Sequence, residues 1–374
     1  MPRLKTIIAW FAAGVAALVV GGFLFAWSGL YSVAASRGHW FVLDVILEFG
    51  MRSSVRTHAI GIDVPELDDP ALVERGAGHF QGGCAPCHGA PGRSPSPIVE
   101  AMLPEPPDLA ASAPTWEPAE LFWIVKHGLK YTGMPAWAAR ERDDEVWAVV
   151  SFLRRLPQMD ARAYWAAVTL DPREQSIPIP ALAQGGPVGT GLAACSRCHG
   201  LDGAGRASGA FPRLDIQTAE YLFAQLQAYS AGTRQSGIMQ PVAAELEVAE
   251  MRRLAEYYST RRPAQAAAAD SEARLLAIGR TLATAGIPDQ GIPSCNSCHA
   301  QDPGLHNPLY PALDGQHAAF TAQQLALFKS GKRRDTPAAE IMSVIAQRLT
   351  AEQIDAVSLY FAGLRPGSVG KGLP

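Results

Sequence analysis

One short pattern recurs three times in the 374-residue chain: two cysteines separated by two residues, with a histidine directly after the second cysteine. The copies are Cys84–His88, Cys195–His199 and Cys295–His299, and together they contain all six cysteines of the chain. Two thiols at this spacing can add to the two vinyl groups of one porphyrin, and the adjacent histidine can ligate its iron. The pattern is therefore typical of covalent haem attachment.

Zinc sites and thiol–disulfide exchange sites share the C-x-x-C spacing and are the alternatives. A disulfide framework would scatter its cysteines, and a redox enzyme would have no use for three copies. We therefore expect three c-type haems, each bound by two cysteines and a proximal histidine. The nine candidate haem-binding residues are Cys84, Cys87, His88, Cys195, Cys198, His199, Cys295, Cys298 and His299.

Three methionines share a position relative to these motifs. Met134, Met239 and Met342 follow their motif histidines by 46, 40 and 43 residues, and an aromatic residue comes 18 positions after each. Methionine–histidine ligation raises the reduction potential of a haem, so we expect these methionines to be the sixth iron ligands; any single one alone would suggest a core residue. Bis-histidine ligation is the alternative, but the other histidines show no shared spacing. They are His39, His58, His79, His127, His306 and His317.

The amino-terminal sequence predicts a membrane anchor. Arg3 and Lys5 precede an uncharged run, residues 6–36, which is long enough to span a bilayer and longer than the apolar part of a signal peptide. The basic end favours a cytoplasmic amino terminus, which places the rest of the chain in the periplasm at the bacterial inner membrane. A cleaved signal is the alternative, because Val33–Ala35 fits a cleavage site.

Residues 39–58 combine apolar side chains with Asp44 and Glu48. They predict either an amphipathic helix at the membrane surface or a helix packed on the first haem domain.

Helical patterns and loop-forming residues divide the chain into further segments. The expected divisions are an anchor at 1–36, a juxtamembrane segment at 37–62, and haem domains at 63–165, 180–263 and 271–366.

The second and third of these domains repeat each other at an offset of 99 residues, which indicates a duplicated unit. The nine positions are Pro212, Leu214, Asp215, Gln217, Tyr221, Gln225, Leu226, Gly232 and Arg234. Their counterparts are Pro311, Leu313, Asp314, Gln316, Phe320, Gln324, Leu325, Gly331 and Arg333.

Each predicted domain resembles a class I cytochrome c, with a helix, the haem motif, a proline-containing loop, a methionine and a terminal helix. The second and third resemble tandem di-haem cytochromes, and the first resembles single-haem domains with the loop found at residues 133–137. The resemblance implies an all-α fold, with three class I cytochrome c domains in tandem behind an N-terminal transmembrane helix. It also implies that a proline carbonyl accepts a hydrogen bond from each motif histidine. Pro212 and Pro311 match that position, and Pro107 matches it less closely.

Six-coordinate iron offers no open site for oxygen or peroxide, and no nucleotide-binding loop, catalytic triad or substrate-binding motif stands out. The sequence therefore predicts an electron carrier between membrane respiratory complexes, acting toward a terminal oxidase, rather than an enzyme. The alternatives are a cytochrome c subunit of a periplasmic alcohol or aldehyde dehydrogenase, and a di-haem peroxidase with one open iron. The net charge of −3 argues against nucleic acid as a partner.

Charge is unevenly distributed along the chain. Residues 63–160 contain 15 acidic and 8 basic residues, whereas Lys329, Lys332, Arg333 and Arg334 form a basic cluster. Such clusters are usually solvated faces. The alternative is that the acidic and basic ends are docking surfaces for different redox partners.

Overall fold

In the part of the chain that the computed structural model describes, all regular structure is helical. No strand forms there, and two isolated β-bridges join Ala90 to Arg93 and Ile287 to Ile292. The expected all-α architecture is confirmed for these residues. His306, Arg334 and the predicted start of the second domain lie outside them. The described residues are 2–34, 36–168, 190–206, 208–261, 263, 273–300, 307–333 and 336–366.

The helices are numbered in chain order, and the chain after them is treated as three regions: the first (63–168), the second (190–263) and the third (273–366). The amino-terminal helices are α1 (Pro2–Ser28) and α2 (Phe41–Ala59). The first region contains α3 (Pro70–Gly83), α4 (Ala85–His88), α5 (Pro97–Glu100), α6 (Leu109–Ser112), α7 (Pro118–His127), α8 (Asp143–Arg155) and α9 (Ala161–Val168). The second contains α10 (Thr190–His199), α11 (Ala219–Ser230), α12 (Met239–Ala244) and α13 (Val248–Ser259). The third contains α14 (Ala273–Thr284), α15 (Asn296–His299), α16 (Ala318–Lys329), α17 (Pro337–Arg348) and α18 (Ala351–Ala362).

Helix α1 is long and apolar enough to cross a bilayer. Its span Arg3–Ser28 has 26 residues and a mean hydropathy of 2.3, and none of it is buried against the rest of the protein. Length and composition alone do not separate a membrane span from a signal sequence. The residues between α1 and α2 contact one another through aromatic rings. The ring of Tyr31 lies edge-on to that of Trp40, with 5.4 Å between the ring centroids.

The two halves of α2 have different surroundings. In the carboxyl-terminal half, Val55 is fully buried, and the ring of His58 packs 5.3 Å from that of Trp123 in α7. The packing alternative is therefore confirmed for this half. In the amino-terminal half, the apolar side chains of Phe41 and Phe49 are 80% and 73% exposed.

Each region has its own cluster of buried side chains. In the first region, α3 crosses α8 so closely that a Cβ on Gly76 would lie 2.0 Å from the carbonyl oxygen of Ala148. The same crossing recurs in the third region, where a Cβ on Gly279 in α14 would lie 2.2 Å from the carbonyl oxygen of Ala356 in α18. Glycine is required at both crossings because any side chain would push the helices apart.

Candidate haem sites

All three C-x-x-C-H motifs form helical turns. They occupy α4, the end of α10 and α15. Residues three apart lie on one face of a helix, so the two thiols of each motif point to the same side. All six cysteines are free thiols. This arrangement leaves both sulfurs of each motif available for one porphyrin.

A proline carbonyl lies against the ring of each motif histidine. Because a carbonyl only accepts, Nδ1 of each ring carries the proton and Nε2 keeps its lone pair for a metal. The hydrogen bonds to Pro212 and Pro311 are confirmed, and Pro107 takes the equivalent position in the first region. The Nδ1-to-oxygen distances are 2.8 Å for His88–Pro107, 3.0 Å for His199–Pro212 and 2.9 Å for His299–Pro311.

Burial favours the neutral form of several motif side chains. It lowers the pKa of His199, which favours the uncharged imidazole that ligates iron. It raises the pKa of Cys84 and Cys195 to about 12 and that of Cys295 to about 11. The attacking cysteine of a thiol–disulfide exchange site has a lowered pKa instead, so these environments do not favour that alternative. Among the described residues, no group of three or more His, Cys, Asp or Glu is placed to hold a metal ion.

The three candidate methionines are each half-buried and each precede the last long helix of their region. Met134 lies in the loop between α7 and α8, where its N–H donates to Oγ1 of Thr132 at 3.1 Å. Its carbonyl approaches Gly128 so closely that a Cβ there would lie 2.6 Å away, at a φ of +63° that also favours glycine. Met239 begins α12, and Met342 lies within α17.

The aromatic residues that follow the methionines differ between regions. Phe152 and Tyr360 are buried, as the shared spacing suggests, but Tyr257 is only half-buried. The next residue, Tyr258, is buried instead, and its hydroxyl donates to the carbonyl of Gly200 at 3.1 Å, directly after the second motif. The spacing of 18 residues does not indicate Tyr258, although Phe361, at the same distance from its methionine, is aromatic too.

The other described histidines have partners outside the motifs. His79 is 4.6 Å from the ring of Trp137, and burial lowers its pKa to about 4. His58 and His127 both pack on Trp123, and His317 hydrogen-bonds a carbonyl in the second region. No shared position emerges that would support bis-histidine ligation.

Two family models match the chain, one for subunit III of cbb3-type cytochrome c oxidase at residues 71–153 and one for cytochrome c at residues 189–261. The chain is 34% identical over 188 residues to cytochrome c4 of Stutzerimonas stutzeri, covering 46% of this chain and 85% of that protein. The chain belongs to the cytochrome c family. Cytochrome c domains bind haem covalently through C-x-x-C-H, so a c-type haem is its cofactor, and the free thiols and the histidine tautomers fit that group.

A second relative has a different name. The chain is 34% identical over 170 residues to the thiosulfate dehydrogenase electron acceptor of Thiomonas intermedia, covering 46% of this chain and 78% of that protein. Among solved structures, reduced recombinant cytochrome c4 from Pseudomonas stutzeri is 34% identical and has a TM-score of 0.42, covering 46% of this chain and 95% of that one.

The first two haem motifs of this cytochrome c lie side by side. A Cβ on Gly78 in α3 would be 3.1 Å from Sγ of Cys198, and one on Gly82 would be 2.8 Å from the guanidinium of Arg197. Helix α3 leads directly into Cys84. Glycines on α3 therefore allow the second motif to pack against the helix that positions the first.

The second and third regions meet through a reciprocal pair of glutamines. The side chain of Gln217 bonds both the N–H and the carbonyl of Ala312, each at 2.9 Å. Gln316 bonds both groups of Arg213 in the same way, at 2.9 and 3.1 Å. Since each residue of one pair is 99 positions from its equivalent in the other, the duplicated units pack with approximate two-fold symmetry.

Most of the basic cluster is used inside the protein. Nζ of Lys332 lies 3.2 Å from Oδ2 of Asp143 in the first region, and Lys329 donates to the carbonyls of Gln347 and Leu349. Arg333 hydrogen-bonds Gln324, and burial lowers its pKa to about 10. Lys332 and Arg333 therefore offer less charge to a docking partner than the sequence suggests, whereas Lys329 is exposed and Arg334 lies outside the described residues.

Proposed function

We propose that this cytochrome c transfers electrons through three covalently bound haems, one in each of three tandem domains at 63–165, 180–263 and 271–366. The observation that supports this most directly is the histidine-to-proline hydrogen bond, which recurs at all three motifs. A second support is that each region has its own buried core.

Each haem would be held by the two cysteines and the histidine of one motif. Met134, Met239 and Met342 would be the sixth ligands of the irons held by His88, His199 and His299. The haem iron supplies one-electron chemistry when bound. The chain's own residues fix the imidazole tautomer through the proline carbonyls. With a methionine as the second protein ligand, each iron would have no vacant position, which would favour a carrier over a peroxidase.

Haem count and ligation are testable together. Intact mass and the pyridine haemochrome should give three haems per chain, and the double variant C84A/C87A should retain two. Replacing any one of the three methionines with Ala should remove about a third of the near-infrared methionine-to-iron band, since three such bonds are proposed. A band of full strength after one replacement would exclude that methionine as a ligand.

The electron route is proposed to lead toward a terminal oxidase, which the match of residues 71–153 to an oxidase subunit family supports. A second route is favoured by the relatives named thiosulfate dehydrogenase electron acceptor: this chain would take electrons from a periplasmic dehydrogenase. Co-purification from native membranes separates the two, because a bound dehydrogenase subunit supports the second and a bound oxidase the first.

We also place the haem domains in the periplasm of the bacterial inner membrane, with α1 as a single-pass anchor. The apolar, exposed surfaces of α1 and of the first half of α2 support this. A protein lacking residues 1–36, exported with a cleavable signal, should be soluble and haem-loaded. If it stays in the membrane after a high-salt wash, α2 or a partner provides the attachment.

A further inference from the structure

A buried carboxylate joins the first region to the second. Glu145, in the first turn of α8, is 2% exposed, and four donors surround it. Within the first region, Arg142 pairs with Oε1 at 2.9 Å, and the indole N–H of Trp137 donates to Oε2 at 3.2 Å. From the second region, the Ser236 hydroxyl and the Gly237 N–H both donate at 2.6 Å. Four donors on two oxygens suit an ionised carboxylate, which only accepts.

These contacts continue to a candidate iron ligand. Oγ of Ser236 donates to Glu145 and accepts from the backbone N–H of Met239 at 3.0 Å. The next residue, Gly237, lies under Trp137, since a Cβ there would be 2.1 Å from the indole nitrogen. Ile238 packs against the core of the first region. The segment before Met239 is therefore held by the first region as well as by its own.

We propose that Glu145 is a positioning residue for the second haem: through Ser236, it holds the segment that places Met239 on the iron. The inference rests on the proposed function, because it takes Met239 to be a ligand. Two charge-assisted hydrogen bonds to one buried carboxylate fix the segment more tightly than neutral contacts do. Ligation in the second domain then depends on the docking of the first.

The third region provides an internal comparison. The segment before Met342 has its own cap, because Thr336, directly before α17, accepts from the N–H of Ala339 at 3.2 Å. Oγ of Ser343 likewise bonds a carbonyl of its own region. Loss of Glu145 should therefore leave the ligation by Met342 unchanged.

The experiment compares E145A, S236A and M239A in the full-length, haem-loaded protein. M239A shows how much of the near-infrared methionine band comes from the second haem. It also shows which midpoint potential belongs to that haem. We expect S236A to weaken the part of the band that M239A removes and to lower the same midpoint potential. The part of the band contributed by Met342 should stay intact. E145A should do at least as much. E141A is the control. It removes an exposed carboxylate just before α8 and should change neither the band nor any midpoint potential.

The outcomes separate the two proposals. If M239A removes about a third of the band but E145A and S236A leave it and all three potentials unchanged, the positioning role is wrong and the ligand assignment stands. If M239A leaves the band at full strength, the ligand assignment fails, and the positioning role fails with it. If E145A does not accumulate with haem, S236A decides alone, because it removes one hydroxyl and keeps the pair between Glu145 and Arg142.

Discussion

The second and third regions have an aspartate at the same place in the duplicated unit, but the two side chains have opposite surroundings. Asp215 is paired with Arg213 through two contacts of 3.0 and 2.6 Å, and both side chains are almost fully buried. Asp314 is 1% exposed, and neither carboxyl oxygen has a hydrogen-bond partner among the described residues. The reason is a single difference: the counterpart of Arg213 is Ala312.

This difference shows which contacts the duplication preserves. The glutamine bonds are made to backbone groups, so they survive whatever side chain stands at 213 or 312. The ion pair depends on a side chain and exists only in the second region. The two-fold packing of the backbones is therefore compatible with an asymmetric distribution of buried charge.

The largest expected effect comes from breaking the ion pair. R213M leaves Asp215 buried without a cation, and removing one partner of a buried pair typically costs about 3–5 kcal/mol. Urea unfolding of the haem-loaded protein, followed by Soret absorbance, measures the loss. The control is R213M/D215L, which leaves no unpaired charge and should be more stable than R213M alone. Equal instability of the two variants would show that the charge is not the cause.

A smaller effect is expected at Asp314, where removing the buried carboxyl should stabilise the protein at neutral pH instead of destabilising it. Burial raises the pKa of this carboxyl to about 6 from an ordinary value near 4. The folded state therefore holds its proton longer than the unfolded state, and wild-type stability should fall as the pH rises from about 4 to about 6 and stay level above that. The fall amounts to at most about 3 kcal/mol.

The measurement for Asp314 is urea unfolding across that pH range. D314N should lack this fall and be more stable than wild type at pH 7. The matched variant D215N should be less stable than wild type, because it breaks the pair with Arg213. A pH profile of D314N that parallels the wild type would show that Asp314 is not the titrating group.

The smallest expected effect tests the two-fold symmetry. Q217A removes the two hydrogen bonds to Ala312, whereas Q316A removes the two to Arg213 and a third from the N–H of His317. Each should lower stability by about 1–3 kcal/mol in the same unfolding assay, and Q316A should lose somewhat more because of its third bond. A large loss from only one of them would mean that the two halves of the interface are not equivalent.

The family resemblance predicted the proline contacts of the motif histidines better than the methionine spacing predicted the buried aromatic residues. Pro212 and Pro311, which the resemblance implies, follow their histidines by 13 and 12 residues, whereas Pro107, the less close match, follows His88 by 19 residues. The buried aromatic of α13 is Tyr258 rather than Tyr257. One residue turns the helix by about 100°, so the face that meets the second motif depends on how α13 packs rather than on a count from Met239.

The sequence by itself determined the haem chemistry, the helical class and the duplication. Covalent attachment needs two thiols and a histidine at a fixed local spacing, and a duplicated unit repeats its residues at a fixed offset, so both are visible along the chain. Only the tertiary structure decided how the regions meet. Glu145 and Ser236 are 91 residues apart, and Asp143 and Lys332 are 189 apart. Such contacts leave no periodic pattern in a sequence, because they depend on where separate folded surfaces come together.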